Sequence, residues 1–73
     1  MTDLGLYLTK KSVNKAEISR RSGISKARLT QLSNNQSTKL TVDELYKIAL
    51  SIEADPCELL IAICKSITLP DKQ

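Results

Sequence analysis

KAEISRRSGISKARLTQLSN, residues 15 to 34, is the stretch that decides the fold. Its apolar positions are Ile18, Ile24, Leu29 and Leu32, and Gly23 divides it into two short segments. Neither segment shows the sustained period-2 alternation of a half-buried strand, and both read as helices. Glycine reaches positive φ without a Cβ clash, so Gly23 suits a left-handed cap that ends the first segment and turns the chain into the second. Small Ser19 and Ser22 allow the two helices to approach closely. At roughly 100° per residue, Leu29 and Leu32 point to one side of the second helix. Ala27, Thr30, Gln31 and Asn34 point to the opposite side, and Lys26 and Arg28 flank it.

The same helical punctuation recurs on either side. Asn14 with Glu17 has the form of a capping box, with Val13 and Ile18 placed as a hydrophobic staple. Thr41 with Glu44 repeats the device between Leu40 and Leu45, and Asp55 with Glu58 repeats it with Pro56 at the first helical position. No Asn-Gly or Asp-Gly hairpin turn occurs, and the only aromatics, Tyr7 and Tyr46, are expected to be core or half-buried rings. The spacing predicts five helices, at about 3–11, 15–22, 26–33, 42–52 and 56–67. The fold class is therefore all-α: a compact five-helix bundle whose second and third helices form a helix-turn-helix. Residues 34–39 make the longest internal loop. The domain is expected to span 1–69, with 70–73 as a short tail.

A chain of 73 residues, 41% hydrophobic and 26% charged, fills one core and not two. Histidine is absent, which excludes a Ser-His-Asp triad and His-based acid/base chemistry. The two cysteines, Cys57 and Cys64, are too few for the usual four-ligand zinc site. Seven residues apart on a helix, their Cα atoms lie about 10.5 Å apart, beyond the reach of a disulfide. Reduced, buried thiols are expected. No nucleophile-base pair, metal cluster or phosphate-cradling glycine loop is present, so the expectation is a binding protein that is not an enzyme, with no cofactor and no metal. The longest apolar run, Leu59 to Cys64, is far short of the roughly 20 residues of a bilayer span. A cytoplasmic protein with no membrane partner is expected.

Charge is unevenly distributed. Lys10 to Lys39 contains eight basic residues against Glu17 alone, whereas residues 40 to 73 hold three basic and six acidic ones. The net charge of +3 thus conceals a local excess of +7 in the part of the chain that includes the helix-turn-helix. Such polarity concentrates positive potential on one part of the surface and suits an anionic partner. The outer face of the third helix adds a small residue and hydrogen-bonding side chains bordered by cations. That combination suits base-edge reading in a major groove lined by phosphates.

On these residues the chain resembles the helix-turn-helix regulators of the Cro/repressor family, the XRE-like proteins of bacteria and their phages. The resemblance covers about residues 4 to 61. It is carried by Lys15, Ile18, Gly23-Ile24-Ser25, Leu29 and Leu32, and by the later stretch LTVDELYKIALSIEADPCELL, residues 40 to 60. Ser19 stands where the family usually has alanine, and Ser33-Asn34-Asn35 replaces the common Glu-Asn-Gly ending of the recognition helix. The resemblance implies a partner, double-stranded DNA, and roles for individual positions. Lys26, Ala27 and Gln31 match the principal base-reading positions, with Arg28 and Thr30 near enough to read bases or grip phosphate. Gln31 has the donor and acceptor for a bidentate contact to adenine, and Ala27 suits either a thymine methyl or simply a helix. Lys15 matches a phosphate contact at the start of the second helix, and Ser25 is expected to cap the third helix within reach of phosphate. Asn34, Asn35 and Lys39 match loop positions that contact the DNA backbone. Arg20 and Arg21 suit a solvated or a steering role equally.

The fifth helix is apolar around about 200° of its wheel, through Cys57, Leu59, Leu60, Ile61, Ile63, Cys64 and Ile67. One core needs a stripe of somewhat over 100°. Excess apolar surface of this kind marks an interface, and the family commonly dimerises here, which implies a homodimer through Ile61, Cys64 and Ile67. Two functions follow: a sequence-specific regulator, most simply a repressor on an inverted-repeat operator, or an antitoxin-like subunit that holds another protein on the fifth helix.

Overall fold

A computed structural model of the protein describes residues 1–70. Five helices occupy them: α1 (Asp3–Lys10), α2 (Lys15–Ser22), α3 (Lys26–Asn34), α4 (Val42–Ser51) and α5 (Pro56–Cys64). No strand forms among the described residues, and none of their helices is long and apolar enough to cross a membrane. Each helix packs on two others, closing a ring in the order α1, α3, α2, α4, α5 and back to α1. Leu4, Leu8, Ile18, Ile24, Leu29, Leu32, Ile48, Ala49 and Leu59 fill its centre. Of the segment 70–73 expected to be a tail, residues 71–73 lie outside the described residues.

Side-chain caps open every helix. Thr2, Asn14, Ser25, Thr41 and Asp55 each accept a hydrogen bond from a backbone N–H of the first turn. The full capping box, however, forms at Thr41 and Glu44 and at neither of the other two expected places. Asn14 accepts from the N–H of Ala16 and Asp55 from that of Cys57, one residue earlier than a box requires. Glu17 turns instead toward Arg20 and Arg21, one helical turn on, where two guanidinium groups outbid a single backbone N–H.

Three further expectations are corrected. The fifth helix ends at Cys64 and not at Ile67. There Ile67 N–H closes a turn on the Cys64 carbonyl, because β-branched Ile67 and Thr68 are weak helix formers and Pro70 disfavours helix at Leu69. Leu59 is fully buried in the core, whereas its neighbour Leu60 is 47% exposed. With Leu59 and Ile63 facing inward, Cys57 stands roughly 200° round the helix from Leu59, so it is exposed and not buried. Both cysteines are free thiols, and Cys64 is half-buried. Tyr7 packs half-buried against the core, but Tyr46 is exposed.

The end of α3 is held by the start of α1. The Thr2 hydroxyl accepts from Gly5 N–H at 3.0 Å and donates toward the carbonyls of Leu32 at 2.7 Å and Ser33 at 2.9 Å. Thr2 N–H donates to the same Ser33 carbonyl at 2.8 Å. Thus the cap of one helix also satisfies the final carbonyls of another, groups that a helix C-terminus leaves without intrahelical partners.

Candidate nucleic-acid interface

Gly23 adopts φ 82°, and its N–H bonds the Ser19 carbonyl, so α2 ends in a left-handed cap. Ile24 then drops into the core, and Ser25 opens α3 by accepting from Arg28 N–H. The turn therefore sets the rotation of α3. Leu29, Leu32 and Ser33 are buried, whereas Lys26, Ala27, Thr30, Gln31 and Asn34 are exposed along the opposite face. Lys15 is half-buried as the first residue of α2. Asn35 caps the end of α3 through its N–H, while its side-chain oxygen accepts from the Ser37 N–H and hydroxyl. Lys39 is exposed at the far end of this loop. Ile61 and Ile67 are 69% and 70% exposed, with Cys64 half-buried between them in sequence, and Cys64 and Ile67 line one cavity with Lys39 of that loop.

The cations divide by type. All three arginines of the basic segment are engaged within the chain, whereas Lys10, Lys11, Lys15, Lys26 and Lys39 make no ion pair among the described residues. Arg20 and Arg21 both pair with Glu17, and Arg21 also donates to the Ser51 carbonyl at the end of α4. The hydrogen bond from Arg20, with that from Arg21, holds the Glu17 carboxyl below its ordinary range. Lys11 rests over the Tyr7 ring, 5.4 Å from its centroid.

Arg28 does not join the exposed face of α3. Its Nε donates to Glu44 Oε2 at 2.8 Å, and its Nη2 donates to Glu44 Oε1 at 3.0 Å and to the Lys39 carbonyl at 2.8 Å. This pairing joins residues 16 apart on different elements, and composition or periodicity gives no sign of it.

Hydrogen bonding from Arg28, aided by the Thr41 N–H, outweighs desolvation and brings the Glu44 pKa from 4.5 down to about 2. A lowered carboxylate pKa contributes stability that is complete above the unfolded value and lost as pH falls through the folded one. The Glu44 side chain is 19% exposed, so solvent screening reduces this contribution to about 1–2 kcal/mol. Glutamine also suits the third position of a capping box. Glu44→Gln is therefore expected to be less stable than the unaltered protein at neutral pH, with the gap closing as pH falls from about 4.5 to about 2. Thermal melts of both across that range measure it, and a gap independent of pH would show that the ion pair contributes nothing.

An exposed recognition-type helix held by a left-handed glycine turn, flanked by unpaired lysines, is a geometry for docking into a groove lined with phosphate. No curated protein and no solved structure matches the chain. The family model of the Cro/C1-type HTH DNA-binding domain matches residues 4–65, nearly all of the five-helix ring. By that match, and by the helices and turn that carry it, the chain belongs to the Cro/C1-type helix-turn-helix DNA-binding family.

Proposed function

We propose that the protein is a cytoplasmic transcriptional repressor, with no catalytic activity, that binds an inverted-repeat operator in double-stranded DNA as a homodimer. The observation that carries this reading is the exposed face of α3, on which Lys26, Ala27, Thr30 and Gln31 stand clear of every core contact. These four side chains read base edges. Lys15, Ser25, Asn34, Asn35 and Lys39 grip the phosphate backbone around them. Exposed Ile61 and Ile67, with Cys64, supply the surface on which two copies meet.

Selection of bound duplexes from random DNA tests the reading. Recovery of a two-fold symmetric sequence, with affinity falling steeply as added salt reduces the gain from releasing the counterions that the lysines replace on the phosphates, supports it. Equal affinity for random and selected duplexes at moderate salt refutes it.

The two classes of contact have different signatures. Gln31→Ala is expected to relax preference at one base position at a cost of about 1–3 kcal/mol. Lys15→Ala is expected to weaken cognate and random duplexes alike and to make the salt slope shallower by about 1. Titrations of both variants against both duplexes separate the roles, and a uniform loss for Gln31→Ala removes it from base reading.

A further inference from the structure

Arg28 occupies the recognition helix, yet its guanidinium is turned away from the face that the other polar residues present. It makes a bidentate pair with Glu44 and a third hydrogen bond to the Lys39 carbonyl. The Arg28 and Glu44 side chains are 33% and 19% exposed, so the pair is partly withdrawn from solvent. To reach a base, Arg28 would have to abandon all three bonds and leave Glu44 without its cation. Leaving one member of such a pair unpartnered carries the main cost of breaking it.

The location of the pair is as telling as its strength. In the ring of helices α3 packs on α1 and α2, and α4 packs on α2 and α5, so α3 and α4 are not neighbours. Arg28 and Glu44 bridge them across the loop of residues 35–41. The first half of that loop is secured by Thr38 N–H on the Asn35 carbonyl, by the Asn35 side chain on Ser37 and by a long bond from the Gln36 amide to the Met1 carbonyl at 3.5 Å. Its second half is secured by the pair: Arg28 holds the Lys39 carbonyl, and Glu44 Oε1 accepts from Thr41 N–H at 3.0 Å. One carboxylate therefore caps α4, anchors the loop and orients the arginine of α3.

We infer that Arg28 and Glu44 form a clamp that sets the Lys39 loop against the recognition helix, which makes Arg28 a positioning residue for DNA binding and not a base reader. The inference rests on the DNA-binding reading above and adds to it a division of labour within α3. Lysine cannot replace the arginine, because one ammonium lacks the planar fork that reaches a carboxylate and a carbonyl together.

The test uses the duplex recovered by selection, a random duplex and six forms of the full chain: unaltered, Arg28→Ala, Glu44→Gln, the double variant Arg28→Ala/Glu44→Gln, Lys39→Ala, and Arg28→Ala/Lys39→Ala. Thermal melts first establish that each is folded, and Glu44→Gln keeps a side chain that can complete the α4 capping box. Arg28→Ala and Glu44→Gln are each expected to lower affinity for both duplexes by about tenfold and to make the salt slope shallower by about 1. The double variant is expected to lose no more than either single one, and base preferences recovered by renewed selection stay unchanged. Lys39→Ala is expected to weaken the unaltered chain but to have little effect once Arg28 is gone.

The inference is overturned if Arg28→Ala alters preference at one base position while Glu44→Gln binds as well as or better than the unaltered chain, because Arg28 is then a reader that Glu44 restrains. It is overturned equally if Lys39→Ala costs the same with and without Arg28. Failure of the unaltered chain to prefer any selected duplex defeats the DNA-binding reading itself, and this inference with it.

Discussion

Ile61→Glu is expected to yield a folded monomer that binds half an operator as well as a whole one. Ile61 lies in the middle of α5 at 69% exposure, beside Leu60 at 47%, so the isolated chain tolerates a carboxylate there. In a symmetric dimer the same residue meets a copy of its own surface. Each glutamate would be buried without a cation, at a cost of several kcal/mol. Since about 1.4 kcal/mol is a factor of ten, the dimer should dissociate at least a hundredfold more readily. Two-fold partners place their recognition helices about 34 Å apart, so half-site centres should lie about 10 base pairs apart. Sedimentation and titration of full and half operators measure both consequences. Ile67, which lies past the end of α5 in a turn, is the weaker place to put the charge. If the unaltered protein is a monomer at micromolar concentrations and binds full and half sites equally, the dimer is wrong.

What could be read ahead of the structure was whatever depends on residues close in sequence. Gly23 and Ser25 specify the turn with their own backbone and hydroxyl, and Leu29 and Leu32 orient α3 by spacing alone. Thr41 and Glu44 announce α4 in the same way. Helix ends were harder where no glycine marks them. After α1 and α4 the chain turns through left-handed Ser12 and Glu53, and each helix ends one residue before its expected end. In both, the next N–H reaches back across the turn, Val13 to the Leu8 carbonyl and Ala54 to the Ala49 carbonyl, which is how such turns satisfy terminal carbonyls. The phase of α5 was illegible for a different reason: a helix apolar on most sides carries no period that tells Leu59 from Leu60. Long-range polar bonds left no trace at all, and Arg28, placed among the readers by its position on α3, is engaged by a carboxylate 16 residues away.

The contact between α1 and α3 belongs to that hidden class and supports the remaining prediction, that Gly5→Ala destabilises the protein. Taken alone, alanine in a helix is about 1 kcal/mol better than glycine, so an isolated α1 would gain from the change. Gly5 is buried, however, and a Cβ there would collide with the Ser33 carbonyl oxygen and approach Met1 Cγ to 2.6 Å. Met1 ends in a flexible chain and can move aside. The Ser33 carbonyl cannot, because it is held by both the N–H and the hydroxyl of Thr2, which also caps α1 through Gly5 N–H. Relief of the clash therefore requires α1 to lift from the end of α3, breaking that set of bonds together. Overpacking costs of about 1–3 kcal/mol would be joined by the loss of buried hydrogen bonds at about 1 kcal/mol each. After the helix propensity gain is subtracted, a net loss of at least about 2 kcal/mol remains, which lowers the melting temperature of so small a domain by roughly 8 °C or more. Because Asn34 and Asn35 follow directly on Ser33, DNA affinity should fall even at temperatures where the variant is folded. A melting temperature equal to or above that of the unaltered protein would mean that α1 is not seated on α3 as closely as the Thr2 bonds require.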